Sequence, residues 1–225
     1  MKKKILFATI AVLLLALGIT GCGKKEQEEK KEEKVNKMDY LILVNKQKEV
    51  PSYWDDVVNL ETTKDIWGDD VQVEKEALFQ FFKLKQELET EEVFIELDSA
   101  YRSVKRQKEL WAEFEKEYGL EYTQKTVAVP GVSEHHTGLA IDVCLRKNGK
   151  LIYENADMLK EKAIFAKVHA KLADYGFILR YPEGKEDITG YSYEPWHFRY
   201  VGSKEIAKEI TSKGITFEEY KEQNK

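Results

Sequence analysis

The stretch Ser133-Glu134-His135-His136-Thr137-Gly138-Leu139-Ala140-Ile141-Asp142 constrains this chain more than any other, and Glu194-Pro195-Trp196-His197 answers it. The first segment carries histidines and a carboxylate, and the second carries a histidine with a glutamate three residues before it. Two imidazoles and one carboxylate can hold a tetrahedral Zn²⁺ with its fourth position open, the pattern of a catalytic rather than a structural zinc site. Glu194 is then free to act as a base on water, which reads as a zinc hydrolase. The fold must therefore bring two distant segments to one point.

The chain has four histidines: His135, His136, His169 and His197. Adjacent side chains diverge, so one of His135 and His136 binds metal and the other lines the rim. The residues alone leave open which. His169 falls in the helical run 160–175 and reads as an ordinary helix residue. Asp142 alternates with Ala140 on one face of the strand-like run 139–143, away from the larger apolar residues. An unpaired carboxylate is costly to bury in such a run, and a metal satisfies it. Pro195 forbids a regular helix, so a tight bend must bring Glu194 and His197 together.

The N-terminus is of a different kind. Lys2, Lys3 and Lys4 precede the apolar run 5–17, which reads as a secretory signal. Ile19-Thr20-Gly21-Cys22 resembles a bacterial lipobox, which implies cleavage before Cys22 and lipidation of its sulfur. The alternative, an uncleaved transmembrane helix, is disfavoured by the short apolar run. Either places the remainder outside the cytoplasmic membrane, and the lipobox places it on the outer face of a bacterial cell membrane. With Cys22 lipidated, Cys144 has no disulfide partner and reads as a small buried hydrophobe. Residues 23–37 hold a single apolar side chain and read as a charged tether.

The 225 residues have room for one domain of ordinary size and a short appendage, and 42% hydrophobic residues suffice for a core. The net charge of -5, with no concentrated basic face, does not favour nucleic acid. Before the motif, 40–45 reads as a first strand or extended segment. Residues 51–70 read as irregular, with Trp54 and Trp67 as packing anchors. An amphipathic helix is expected over 74–89, a strand over 93–97, and then a helix that 98–103 opens and that runs through Trp111 and Phe114 to about Tyr118. Arg102 lies where that strand hands over to the helix, with the capping Ser103 beside it. Alone it reads as a surface arginine; beside a metal site it reads as a bidentate clamp for a carboxylate.

Residues 98–107, 131–143 and 176–202 together resemble the VanY-type D-alanyl-D-alanine carboxypeptidases and their relatives, the L,D-carboxypeptidases of peptidoglycan. The resemblance covers 39–203 and implies the Hedgehog/DD-peptidase fold, an α+β domain of antiparallel sheet with flanking helices. It implies that His135, Asp142 and His197 bind one Zn²⁺ and that Glu194 is the general base. It also implies that Arg102, with Gln107 and Ser133, receives the substrate's terminal carboxylate or the developing oxyanion. Tyr181, Tyr191 and Trp196 shape the substrate pocket. One departure is Ala100, where the family has Gly; a methyl is tolerated there if φ is negative.

The expected activity is removal of the C-terminal D-alanine from peptidoglycan stem peptides, with D-Ala-D-Ala and L-Xaa-D-Ala termini both open. A zinc-containing lipoprotein that only binds cell-wall peptides is the alternative, and Glu194 argues against it. Residues 38–203 are the expected catalytic domain, followed over 204–225 by a polar helix and a charged tail with no role assigned.

Overall fold

A computed structural model describes residues 37–225. The signal, the lipobox with Cys22 and all but the last residue of the tether lie outside the described residues. No helix among the described residues is long and apolar enough to cross a membrane.

After a 3-10 turn at Trp54–Asp56 come β1 (Leu60–Lys64), β2 (Asp70–Glu74), α1 (Lys75–Thr90), β3 (Phe94–Ser99), α2 (Val104–Tyr118) and α3 (Leu120–Thr126). A second 3-10 turn, Glu134–Thr137, leads to β4 (Ala140–Lys147), β5 (Lys150–Ile152), α4 (Asn155–Met158) and α5 (Lys162–Leu172). A third 3-10 turn, Ala173–Tyr175, precedes β6 (Phe177–Leu179), α6 (Glu186–Thr189), β7 (His197–Tyr200), α7 (Lys204–Lys213) and α8 (Phe217–Gln223).

The main sheet is antiparallel, in the order β3-β4-β7-β6, with β5 on the far end of β4. β4 is central because seven of its eight residues are buried or half-buried, as a strand covered on both faces requires. α1 lays Ala77, Leu78, Phe81, Leu84 and Leu88 into the core against Ile95, Leu97 and Leu145. Glu74 caps α1 through Ala77 N–H at 2.9 Å, and Ser103 caps α2 through Arg106 N–H at 3.1 Å. A smaller cluster joins Ile178 and Val201 to Ala207, Ile210, Phe217 and Tyr220 of α7 and α8.

Four local expectations need correction. Residues 40–45 form no sheet strand, and their one bridge is Asn45 to Lys48. The stretch 51–70 is not irregular throughout, because β1 and β2 pair as a hairpin. Trp54 is buried, but Trp67 is 53% exposed, stacked edge-on against Tyr153 and donating its indole N–H to Asp98. The charged tail is a helix, closed by a Thr216/Glu219 capping box and anchored by Phe217 and Tyr220.

Candidate metal centre and active site

Sheet register builds the centre. Asp142 on β4 faces His197, the first residue of β7, as its cross-strand partner. Ser99 pairs with Asp142 on the other side, across a bulge after Leu97. The Glu134–Thr137 turn adds His135 from above, and Gly138 ends that turn in the left-handed region at φ 70°. A Cβ at Gly138 would lie 2.7 Å from Leu60 Cδ2, so the residue admits no side chain without displacement.

His135 Nε2 lies 3.1 Å from Asp142 Oδ2, and His197 Nδ1 lies 2.9 Å from Asp142 Oδ1. All three donor atoms fall within 4.8 Å of one another. Each ring is aimed by its other nitrogen. His135 Nδ1 donates to the Ala100 carbonyl at 2.7 Å, and His197 Nε2 donates to Glu134 Oε2 at 3.1 Å. The nitrogens facing Asp142 are thereby left with lone pairs, as metal-binding imidazoles need. Asp142 Oδ1 is buried and meets His197 Nδ1 at 2.9 Å, a contact that needs a proton or a cation between the two atoms. A carboxylate facing two oriented imidazoles, with the donor atoms this close together, fits a divalent cation of zinc type.

Burial disfavours charge on both groups, yet the facing charges outweigh it. His135 and His197 hold Asp142 well below the usual carboxylate range, while Asp142 and Glu134 lift His197 to about 10. A cation takes the place of that proton and meets the same carboxylate. Of the two adjacent histidines, the cluster includes His135. His136 points the other way, accepting Gly131 N–H on Nε2 at 3.1 Å and donating from Nδ1 to the Arg102 carbonyl.

Glu194 sits in a tight turn and not in a helix. His197 N–H donates to the Glu194 carbonyl at 3.2 Å, and Glu194 N–H donates to the Tyr181 carbonyl at 3.1 Å. His169 props this turn by donating to the Pro195 carbonyl at 2.8 Å, a role that its position on a helix did not announce. The Glu194 carboxylate is 3.7 Å from His197 Nδ1 and lines the cavity. Burial raises its pKa to about 7.

Arg102 lines the same cavity. Its guanidinium donates to Gln107 Oε1 at 3.0 Å and to Ser99 Oγ at 3.2 Å. Gln107 is fully buried, donates in turn to the Ala128 carbonyl at 2.7 Å, and stands behind Arg102 as its support. Ala100 is not among the described residues with positive φ, so the methyl costs no strain. The cavity, of about 290 Å³, is also lined by Ser133, Tyr191 and Trp196. The Tyr191 ring packs at a tilt against Tyr181, centroids 4.7 Å apart, and its buried hydroxyl has no hydrogen-bond partner among the described residues.

One residue central to the site had no role in the sequence reading. The Glu134 side chain is fully buried and accepts from Arg180 Nε and Arg199 Nη1, both at 2.7 Å, besides His197. The two arginines hold it well below the usual carboxylate range despite its burial. The signal was there: Arg180 and Arg199 each end or interrupt an apolar strand run, where a lone cation needs a buried partner.

The family model described as VanY, D-alanyl-D-alanine carboxypeptidase, matches residues 70–203. The bifunctional D-Ala-D-Ala dipeptidase and D-Ala-D-Ala carboxypeptidase VanXYC of Enterococcus gallinarum is 48% identical over 130 residues, covering 56% of this chain. That match spans 65% of the relative, a little under two thirds of its length. Among solved structures, the LdcB LD-carboxypeptidase superposes with a TM-score of 0.69 at 36% identity, covering 81% of this chain and 86% of the other. A mutant of the vancomycin-resistance D,D-pentapeptidase VanY, in complex with Zn(II), superposes with a TM-score of 0.65 at 31% identity, covering 80% and 98%. These structures share the α+β architecture described above. With the match extending over more than half of its residues, the chain belongs to the VanY family of D-alanyl-D-alanine carboxypeptidases.

Proposed function

We propose that this chain is a zinc carboxypeptidase that removes the C-terminal D-alanine from peptidoglycan stem peptides. The observation that carries the reading is the Asp142 carboxylate facing two aimed imidazoles, with Glu194 and Arg102 lining one cavity beside it. His135, Asp142 and His197 hold the zinc, which when bound supplies Lewis acidity for the scissile carbonyl and its developing negative charge.

Arg102 pairs with the free carboxylate of the terminal D-alanine, its fork kept in place by Gln107 and Ser99. That pairing selects an exopeptidase, since an internal peptide bond offers no carboxylate to the half-buried guanidinium. Glu194 takes a proton from the attacking water as its oxygen bonds to the carbonyl carbon. The same proton passes to the amide nitrogen as the C–N bond breaks, releasing D-alanine. The unpaired Tyr191 hydroxyl is a donor for the substrate, and Ser133 lines the wall beside the metal ligands.

Lys2–Lys4, the apolar run 5–17 and Thr20-Gly21-Cys22 support anchoring at the outer face of the cell membrane by a lipid on Cys22. The charged tether then lets an acidic domain reach wall material that its net charge repels at long range. Loss of lipid labelling in Cys22→Ala, with the domain released, checks the anchor.

The activity is tested on the full chain, in detergent, with pentapeptide and tetrapeptide wall stems offered separately, with and without chelator. Loss of one alanine from the pentapeptide alone assigns a D,D-carboxypeptidase, and loss from the tetrapeptide assigns an L,D-carboxypeptidase. Zinc bound with neither product formed would leave a peptide-binding protein and overturn the proposal.

A further inference from the structure

We infer that α8, which lies beyond the family-matched residues 70–203, is a positioning element of the metal centre. Glu218 holds Arg180, Arg180 holds Glu134, and Glu134 fixes which nitrogen His197 turns toward the metal. The inference rests on the three metal ligands and not on the identity of the substrate.

Every link is a direct contact, with Arg180, Glu134 and His197 buried and Glu218 half-buried. Arg180 is fully buried and uses all three nitrogens, Nε on Glu134 at 2.7 Å, Nη1 and Nη2 on Glu218 at 2.8 and 2.6 Å. This is the bidentate fork that a guanidinium makes with a carboxylate, turned edge-on so that a second carboxylate fits at Nε. Arg199 completes the cluster, giving Nη1 to Glu134 and Nη2 to the Tyr40 and Ile42 carbonyls. Asn45 steadies Glu218 Oε1 from the N-terminal segment at 3.2 Å.

Charge explains why the last link is needed. Arg180 and Arg199 carry two positive charges, and Glu134 alone answers one of them. Without Glu218 a net positive charge would remain beside a site built for a divalent cation, where it opposes metal binding. The freed fork of Arg180 would also compete for Glu134, drawing its Oε2 away from His197 Nε2. With Glu218 in place, two guanidiniums balance two carboxylates, and Glu134 can spend one oxygen on the imidazole.

The first turn of α8 is shaped for this contact. Its capping box uses Thr216 and Glu219, the residues flanking Phe217 and Glu218, and Glu219 is further tied to Lys185. The Phe217 ring lies 4.8 Å from the Arg199 guanidinium and 5.6 Å from that of Arg180, covering the arginine pair. Tyr220, one turn on, packs into the smaller apolar cluster and makes no contact of this kind.

The test uses the full chain in detergent and two readouts that do not depend on turnover: the zinc dissociation constant, by competition with a chromophoric chelator, and the absorption bands of the cobalt-substituted protein. Glu218→Gln is expected to weaken zinc by about 10-fold or more, the scale for partners that orient a metal-bound histidine, and to shift the cobalt bands. Tyr220→Leu, which loosens the same helix away from the arginines, is expected to lower Tm while keeping zinc affinity within about two-fold. Wild-type affinity and bands in Glu218→Gln would overturn the inference. So would a Tyr220→Leu variant that loses zinc as fully, since α8 would then act through packing alone. If Glu218→Gln does not fold, Glu218→Asp decides by the same readouts: weakened zinc supports the relay and unchanged zinc overturns it. A wild-type chain that binds zinc but cleaves neither stem peptide would count against the proposed hydrolysis and leave this inference standing.

Discussion

The backbone N–H of Arg102 donates to the carbonyl of His135 at 3.1 Å. His136 closes the other side of the same residue by donating to the Arg102 carbonyl. The residue proposed to hold the substrate's carboxylate is thus bonded at both backbone ends to the segment that supplies a metal ligand. Clamp and metal-ligand segment are thereby tied together, which would fix how far the scissile carbonyl can lie from the terminal carboxylate.

Arg102→Lys is expected to lower kcat/KM by about 10²–10³-fold, the scale of losing a hydrogen-bonded charge partner in an interface, with zinc affinity unchanged. A lysine offers a point charge where Gln107 and Ser99 now orient a planar fork. The decisive comparison uses a stem peptide with an amidated C-terminus. The wild-type protein should strongly prefer the free acid, and the variant should discriminate little; a variant that discriminates as well as wild type places the clamp elsewhere.

The parts of the fold that were legible in sequence are those with strong period. α1 shows its apolar stripe, and Ser103 and Glu96-Leu97 announce the strand-to-helix passage around Arg102. β1 and β2 escaped because Leu-Glu-Thr-Thr-Lys leaves most of its side chains exposed or half-exposed, so no alternation marks it. α8 escaped because Phe217 and Tyr220 are its only buried residues among charges. At the site, residues that meet the metal have a chemical signature in their spacing, whereas Glu134, His136 and His169 act through long-range partners that only the tertiary structure supplies.

Glu194 sets the acid side of the activity profile. Burial raises it to about 7, and a cation at the neighbouring ligands draws it back down. A general base works only when ionised, so kcat/KM should fall as pH drops through an apparent pKa at or below about 7. Glu194→Gln should lose kcat by about 10²–10⁴-fold, keep zinc and lack this acid limb. Activity retained in that variant would sink the assignment of the base.

Metal removal should cost stability as well as activity. A cation bound by the folded chain alone adds about 2.7 kcal/mol when free metal stands at 100 times its dissociation constant. For a chain of this size each kcal/mol moves Tm by about 2–4 °C, so chelation should lower Tm by about 5–11 °C. Glu194→Ala should show the same drop. Asp142→Asn, which removes the charge facing both imidazoles, should melt at one temperature with or without chelator.

His135 and His136 are neighbours in sequence and opposite in effect, which gives a test of the site as a whole. His135→Ala should lose zinc and activity together. His136→Ala should keep zinc, because neither of its ring nitrogens faces the metal ligands. It leaves Gly131 N–H and the Arg102 carbonyl without partners, a cost of about 1–3 kcal/mol for each buried group left unpaired. The turn that carries Arg102 loosens, so KM should rise more than kcat falls. Burial lowers the His136 pKa below its ordinary 6.5, so the folded ring stays neutral while the unfolded ring charges first. Wild-type stability should therefore decline as pH falls below 6.5, and His136→Ala should flatten that part of the curve. Urea melts of both proteins between pH 5 and 8 read this directly; parallel curves would mean that His136 is not the titrating group.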